Sequence, residues 1–304
     1  MLFKNIGLVD ENFGYRENAY VGTEGELITY IGASMPDNAE RYGETYDGTG
    51  KVLMPAFVNA HGHSPMSLLR GYGENLSLES WLFDRIFPFE DKLYDDAVYW
   101  GTLNTIAESL KFGIVSTSDM YYFLGAMTEA YKDSGAKANI SRSVSNPGSE
   151  SLKTHLGFNE SIDSIKLYHG QADGRILVDV SPHSEYTNDE MTVRALADLA
   201  KEYDLPVHVH VAETESETKG CIERHGMTPV EYFEHCGIFD QPTNAAHCVW
   251  LTDNDIAILK AKNVTVSSNP ISNLKLVSGI CEVDKLYQAG VSVAIGTDSS
   301  ASNN

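Results

Sequence analysis

The sequence predicts an α/β protein whose main part is a parallel (β/α)₈ barrel, preceded by a small β module. From about residue 52 onward, eight apolar runs of strand length alternate with longer helix-like stretches. Strands that are apolar along their whole length are typical of parallel sheets covered by helices. The first 54 residues differ, because short alternating segments are separated there by turns.

The predicted elements divide the chain into a β module over residues 1–54 and a barrel over residues 55–304. The module contains strands at 2–9, 19–22 and 26–32. Helices are expected between most barrel strands, including 95–111, 189–203, 228–236 and 253–262. In such a barrel the catalytic groups lie at the carboxyl ends of the strands. The eight barrel strands are predicted at 52–63, 113–120, 137–144, 175–183, 205–213, 244–250, 264–269 and 291–298.

Composition restricts the class of partner. The 304 residues contain 22 basic and 43 acidic side chains, which gives a formal net charge of −21. Such a charge repels nucleic-acid phosphates and anionic lipids, so neither nucleic acid nor a membrane is an expected partner. None of the four cysteines forms a C-x-x-C pair, and the start of the chain lacks the apolar run of a signal peptide. We therefore expect a cytoplasmic protein.

Histidines mark the ends of two predicted strands. His61 and His63 are two residues apart, so they face the same side of the first barrel strand. His208 and His210 repeat this spacing on the fifth strand, where His210 lies nearer the end and His208 is expected to be a core histidine. Glu213 follows that strand and has the chemistry needed to move protons at a bound water.

Two further strands add to the pattern. His247 lies near the end of the sixth strand, and Asp298 ends the eighth. Three histidines with a carboxylate and room for water form a hydrolytic metal site. Other hydrolase motifs are incomplete: His183-Ser-Glu185 matches H-x-E, but the P-C-x-x-C of the zinc nucleobase deaminases is missing. H-E-x-x-H and G-x-S-x-G do not occur.

These motifs together resemble one branch of the amidohydrolase superfamily, the S-adenosylhomocysteine and methylthioadenosine deaminases with their chlorohydrolase relatives. The resemblance covers essentially the whole chain. It rests on residues 55–66 and 68–71, Trp81, Glu90, residues 208–213, 246–248 and 269–276, and the Gly-Thr-Asp of residues 296–298.

The resemblance implies a distorted (β/α)₈ barrel with a small β-sandwich, of which residues 1–54 are the N-terminal part. It also implies one divalent metal, usually zinc, with Fe²⁺ or Mn²⁺ as alternatives. Glu213 matches the proton shuttle, and His247 matches the histidine that polarises the water or the attacked centre. Asp298 would also accept a proton from the water. The implied metal ligands are His61, His63, His210 and Asp298.

The resemblance further implies a nucleoside substrate and a homo-oligomer. In this branch a tryptophan lies against the nucleoside, a glutamate holds the ribose hydroxyls and a histidine meets the purine. The matching substrate-binding positions here are Trp81, Glu90, Arg142 and His183. Deaminases that accept S-adenosylhomocysteine use a second arginine, but none occurs between Arg142 and Arg175. A smaller 5′ group, as in methylthioadenosine, adenosine or 5′-deoxyadenosine, therefore fits better.

The sequence leaves three interpretations open. The first is hydrolytic deamination of an adenine nucleoside to the inosine analogue and ammonia. The second is another reaction of the same superfamily, by a guanine or pterin deaminase or a triazine chlorohydrolase. Glu213 argues against some chlorohydrolases, because a halide leaving group has less need of a proton donor. The third is an inactive fragment, because members of the family continue well beyond Asp298 and a barrel truncated at its C-terminus is expected.

Overall fold

The N-terminal part of the chain forms a sheet of its own. The computed structural model describes residues 1–303, and the chain divides into two units, Met1–Phe57 and Val58–Asn304. The strands of the first unit are β1 (Leu2–Val9), β2 (Tyr15–Glu24), β3 (Leu27–Gly32), β4 (Thr45–Asp47) and β5 (Val52–Leu53). β2 pairs antiparallel with β1 and β3, while β4 and β5 run parallel to β1.

The second unit contains an eight-stranded sheet whose strands are neighbours in chain order, which confirms the predicted barrel. Each strand corresponds to one of the eight predicted runs. They are β6 (Phe57–Gly62), β7 (Ile114–Tyr121), β8 (Lys137–Val144), β9 (Ile176–Pro182), β10 (Val207–Val211), β11 (Thr243–His247), β12 (Thr265–Ser268) and β13 (Ser292–Ile295).

The first and last strands of this sheet meet just beyond their ends. Gly62 and Asp298 form a parallel bridge, and the Asp298 amide donates to the carbonyl oxygen of His61 at 2.9 Å. Nearby, the Thr297 amide donates to Oδ1 of Asn59 at 2.8 Å. The sheet is therefore closed at the end where two of the predicted metal ligands lie.

Helices follow most of the barrel strands. They are α1 (Leu78–Trp81), α2 (Phe87–Glu90), α3 (Asp95–Lys111), α4 (Leu124–Ser134), α5 (Leu156–Tyr168), α6 (Gln171–Gly174), α7 (Glu190–Tyr203), α8 (Glu215–His225), α9 (Pro229–His235), α10 (Asp253–Ala261), α11 (Pro270–Lys275) and α12 (Val283–Ala289). The part of the chain that is described contains no helix long and apolar enough to cross a membrane.

Local chemistry explains where the longer helices begin and end. α7 begins after Asp189, whose side chain accepts the amide of Thr192, and α9 and α10 each begin with a complete capping box. α4 ends at Gly135, which has φ of +77° and so provides the left-handed residue that commonly ends a helix. The predicted limits of 95–111 coincide with α3.

One predicted strand is two strands in the structure. Residues 52–63 were expected to be continuous, but β5 belongs to the N-terminal sheet and β6 to the barrel. Pro55 lies in the interval between them. Because proline lacks an amide hydrogen, it interrupts the ladder of hydrogen bonds and separates the two segments.

Candidate active site

Four of the side chains predicted to bind metal meet at one end of the barrel. His61 is the penultimate residue of β6 and His63 follows that strand, while His210 lies near the end of β10 and Asp298 comes after β13. Nε2 of His63 lies 3.2 Å from Oδ1 of Asp298, and Nε2 of His61 lies 3.6 Å from the same oxygen. This is the carboxyl end of the strands, where barrel enzymes carry their active sites.

His61 belongs to two overlapping groups that could hold a metal ion. One contains His61, His210 and His247, the other His61, His63 and Asp298, and the ligand atoms within each group lie within 4.8 Å of one another. Nε2 of His61 is buried and has no hydrogen-bond partner among the described residues. A buried nitrogen without a partner is costly unless a ligand uses its lone pair. The site therefore fits a cation bound at this nitrogen.

Protein groups hold the second ring nitrogen of each histidine that is predicted to bind metal. Nδ1 of His63 faces a backbone carbonyl oxygen of β7, and Nδ1 of His210 faces the carbonyl oxygen of His183 at 2.8 Å. Nδ1 of His61 lies 2.8 Å from Nε2 of His208, which is fully buried beneath it. When Nδ1 carries the proton and donates, Nε2 keeps the lone pair that binds a metal.

Burial and the Asp298 carboxylate determine the charges in this group. Burial lowers the pKa of His61 to about 4 and holds the pKa of His210 well below its ordinary value. Burial also acts to lower the pKa of His63, but the Asp298 carboxylate outweighs it and raises that pKa to about 9. Burial opposes ionisation of Asp298, yet the imidazoles of His61 and His63 beside it bring its pKa well below the usual range. A positive charge, either a proton or a metal cation, is therefore favoured beside Asp298.

Glu213 and His247 form the second part of the site. Oε2 of Glu213 lies 3.7 Å from Nε2 of His247, and Oε1 of Glu213 accepts a hydrogen bond from Oγ of Ser278 at 3.1 Å. Burial raises the pKa of Glu213 above its ordinary value, and the nearby His247 offsets this only in part. Glu213 is therefore protonated at higher pH than an exposed glutamate, as a proton donor at neutral pH requires.

The chain turns sharply where the functional side chains leave their strands. Ala212, His247, Cys248 and Asp298 have φ of 49°, 74°, 48° and 59°. Non-glycine residues in this left-handed region cost about 1–3 kcal/mol each and persist where the surroundings impose them, often at active sites. These turns direct Glu213 and Asp298 over the open end of the barrel.

Glu217 holds one of these turns in place, and the sequence did not single it out. Its carboxylate accepts the backbone amides of Ala212 at 3.0 Å and Glu213 at 2.7 Å. Burial, followed by the charge of Glu213, raises the pKa of Glu217 to about 8. Because two amide donors need two acceptor oxygens, a carboxyl group fits this position better than an amide side chain would.

A cleft opens beside these groups, and three of the four predicted substrate contacts line it: Trp81, Glu90 and His183. Trp81 and Glu90 lie on α1 and α2, which are joined by a π-helical turn at Leu82–Ile86. The indole Nε1 of Trp81 is buried and lacks a partner in the described chain. Burial raises the pKa of Glu90 to about 7 and lowers the pKa of His183 to about 3. The cleft thus offers a flat apolar wall, a carboxyl group and a neutral imidazole.

The fourth predicted contact, Arg142, does not line this cleft. Its Nε donates to Glu160 of α5 at 2.6 Å, and its guanidinium lies 4.7 Å from the ring centroid of Tyr122. Side chains alternate along β8, so Ser143 faces the cleft while Arg142 points toward the helices. Tyr122 does line the cleft, and Arg142 therefore supports the wall from behind.

The cleft also contains aromatic side chains that sequence reasoning missed. Tyr121, Tyr122 and Tyr186 all contribute to its wall. Tyr121 ends β7, where a position at a strand end could have marked it, whereas Tyr186 lies in the loop before α7. No periodic pattern distinguishes such a loop residue, so only the structure brings it to the site.

Comparison with known proteins agrees with this geometry. The amidohydrolase family model matches residues 52–304. A 5-methylthioadenosine/S-adenosylhomocysteine deaminase of Thermoanaerobacter pseudethanolicus is 39% identical over 309 residues, covering 100% of this chain and 70% of the relative. A 5′-deoxyadenosine deaminase of Methanothermobacter thermautotrophicus is 44% identical over 291 residues, covering 96% of this chain and 67% of the relative.

The fold comparison gives the same answer. The crystal structure of an adenosine deaminase from Xanthomonas campestris with bound zinc superposes with a TM-score of 0.90 at 30% sequence identity. The match covers 100% of this chain and 70% of that chain. On the family match and the closed barrel with its histidine cluster, the chain belongs to the amidohydrolase family.

Proposed function

We propose that this protein is a metal-dependent deaminase that hydrolyses an adenine nucleoside to the inosine analogue and ammonia. The observation that carries the proposal is the position of Glu213, a buried carboxyl group with a raised pKa that shares one cleft with the histidine cluster. The relatives named as methylthioadenosine and 5′-deoxyadenosine deaminases support this choice of reaction.

The proposed ligands of one divalent metal are His61, His63, His210 and Asp298. Imidazole nitrogens with one carboxylate oxygen suit zinc, and the zinc-bound adenosine deaminase structure supports zinc over Fe²⁺ and Mn²⁺. When bound, such a metal supplies a water of lowered pKa as the nucleophile at neutral pH.

The protein groups around the cleft handle the protons. Protonated Glu213 donates to the ring nitrogen next to the carbon that carries the amino group, and this makes the carbon electrophilic. The Asp298 carboxylate accepts the proton that the attacking water loses. His247, within 3.7 Å of Glu213, orients the water and the developing oxygen at the same carbon. The amino group leaves as ammonia after it receives the proton that Asp298 accepted from the water. The proton of the remaining hydroxyl group returns to Glu213 as the carbonyl of the inosine analogue forms.

The remaining contacts select a nucleoside. The Trp81 indole provides a flat surface for the base or sugar, the Glu90 carboxylate pairs with the two ribose hydroxyls, and neutral His183 meets the purine edge. Arg142 is engaged with Glu160 outside the cleft wall. Recognition of an amino-acid carboxylate on the 5′ group therefore has little support, and a small 5′ group is favoured.

A substrate panel tests the proposal. Zinc-loaded protein is assayed for ammonia release from adenosine, methylthioadenosine, 5′-deoxyadenosine, S-adenosylhomocysteine, guanine and cytosine. We expect release from the adenine nucleosides, with S-adenosylhomocysteine the poorest of the four. Release from guanine alone, or from none of the panel by protein shown to contain metal, would refute the proposal.

A further inference from the structure

The segment from Ser272 to Ser278 has no assigned role in the proposed reaction. It contains the end of α11 and the loop that follows, and it has side chains directed at three different groups of the site. The Ser278 hydroxyl donates to Glu213, and Oδ1 of Asn273 lies 2.8 Å from Nδ1 of His247. Its third contact is made by Ser272, whose hydroxyl donates to Oδ2 of Asp298.

We propose that three side chains of this segment, those of Ser272, Asn273 and Ser278, position the groups of the site that handle protons. The inference rests on the proposed function, because it assigns Glu213, His247 and Asp298 their roles in that reaction. Ser272, Asn273 and Ser278 are at most 2% exposed, so water does not compete for these hydrogen bonds.

Ser278 fixes the rotamer of Glu213. The Ser278 amide donates to the carbonyl oxygen of Asn273 at 2.8 Å, and its own carbonyl oxygen accepts Nε1 of Trp250 at 2.7 Å. The preceding residue, Val277, has φ of 58°, which a β-branched residue adopts only when its surroundings impose it. The Ser278 hydroxyl is thus held rigidly at Oε1 of Glu213, and Oε2 is left to face His247.

Asn273 fixes the ring of His247. Its side chain reaches Nδ1 of His247, and its amide donates to the carbonyl oxygen of Asn269 at 2.9 Å. A hydrogen bond at Nδ1 selects one tautomer and prevents rotation about χ2, so that Nε2 stays directed at Glu213. His247 has φ of 74°, a strained backbone conformation that contacts with neighbouring residues must maintain.

Ser272 gives the two carboxylate oxygens of Asp298 different partners. Its hydroxyl bonds Oδ2, while Oδ1 is the oxygen that faces His61 and His63. Without the serine, rotation of the carboxylate would exchange the two oxygens and loosen the ligand geometry. Ser272 and Asn273 are adjacent in α11, so one short helix carries both the bond to Asp298 and the bond to His247.

The same helix offers a matched control. Leu274 lies between the positioning residues in sequence but is 60% exposed. Truncation of Leu274 changes α11 locally without touching Glu213, His247 or Asp298. It therefore separates loss of orientation from a general disturbance of the helix.

Steady-state kinetics of S278A, N273A and S272A, compared with L274A, test the inference. We expect each of the three to lower kcat by roughly 10- to 100-fold, the effect of leaving a buried polar group without its hydrogen-bond partner, with KM changed by less than about 2-fold. L274A should retain the wild-type constants, and S278T should recover most of the S278A loss because it keeps the hydroxyl. S278C has a side chain close to serine in volume but lacks a strong hydrogen-bond donor. It should therefore show the same loss of kcat as S278A without leaving a cavity that disturbs folding.

Two further measurements distinguish positioning from mere structural support. In an E213Q background, S278A should cause no additional loss, because its effect acts through Glu213. S272A should lose zinc to a chelator faster than L274A, and this measurement does not depend on enzymatic activity. If the wild type releases no ammonia, the proposed function fails, yet the zinc measurement still tests the inference. The inference would be overturned if the losses appear in KM, if S278A still lowers kcat in the E213Q background, or if L274A causes losses of the same size.

Discussion

The proposed pairing of Glu90 with ribose predicts a distinctive dependence of the enzyme on pH. Burial raises the pKa of Glu90 from 4.5 to about 7, and only the carboxylate accepts hydrogen bonds from both ribose hydroxyls. Because kcat/KM reports the ionisation of the free enzyme, it should rise as pH increases toward 7 and then level off. At pH 5, two units below the pKa, about 1% of Glu90 is ionised, so kcat/KM should be about 100-fold below its plateau.

The assay compares a ribonucleoside with its 2′,3′-dideoxy analogue between pH 5 and 8. Both substrates depend equally on the metal and on Glu213, so the ratio of their kcat/KM values isolates the contact with the hydroxyls. We expect this ratio to fall about 10-fold per pH unit below 7. In E90Q the ratio should be small and independent of pH, because the neutral amide does not titrate.

Two results would refute this reasoning. If the ratio is constant from pH 5 to 8 in the wild type, Glu90 does not bind the hydroxyls as a carboxylate. If E90Q keeps the pH dependence of the wild type, another group is responsible. Metal content measured at each pH confirms that both substrates meet the same loaded enzyme.

Three further predictions concern other parts of the unit. E213Q should lower kcat by about 10²- to 10⁴-fold with little change in metal content, since it removes the proposed proton donor. Elemental analysis and kinetics check this, and a loss under 10-fold would contradict it. Burial raises the pKa of Asp179 to about 7, so folding binds a proton there and stability falls as pH rises from about 4 to 7. D179N keeps a hydrogen-bond partner for Asn139, so it should be more stable than wild type by up to about 4 kcal/mol at pH 8. This gain in the free energy of unfolding should vanish near pH 4, and denaturant unfolding would measure it. Equal stability of D179N and wild type at pH 8 would contradict the prediction. R142A should raise KM for nucleosides more than it lowers kcat, because it leaves Tyr122 unsupported; unchanged KM would count against that role.

Sequence pattern predicted the parts of the site that local rules determine. Residues two apart on a strand share a face, so His61 and His63 were expected to converge, and the carboxyl ends of parallel strands brought His210 and Asp298 beside them. Strand and helix periods likewise predicted the barrel and α3. Trp81 and Glu90 came from the family resemblance alone, since nothing in the period of residues 78–90 marks them as part of a cleft.

Other features depend on tertiary packing. Arg142 is predicted as a substrate contact, and its side chain lies on the helix face of β8, where Glu160 and Tyr122 hold it. In the sequence, nothing distinguishes Glu217 from the other acidic residues near the start of α8. Only the fold brings its carboxyl group to the backbone amides of Ala212 and Glu213. Such roles arise from hydrogen bonds between residues whose spacing carries no periodic signal.

The most direct test of the central claim is the reaction itself, followed in water enriched in heavy oxygen. Zinc-loaded wild type and E213Q, matched in metal content, are incubated with 5′-deoxyadenosine or methylthioadenosine, and the purine product and ammonia are quantified together. We expect equal amounts of ammonia and inosine analogue, one heavy oxygen in the purine, and a rate in E213Q at least about 100-fold lower. Unlabelled product, ammonia without the inosine analogue, or equal rates in the two proteins would contradict it.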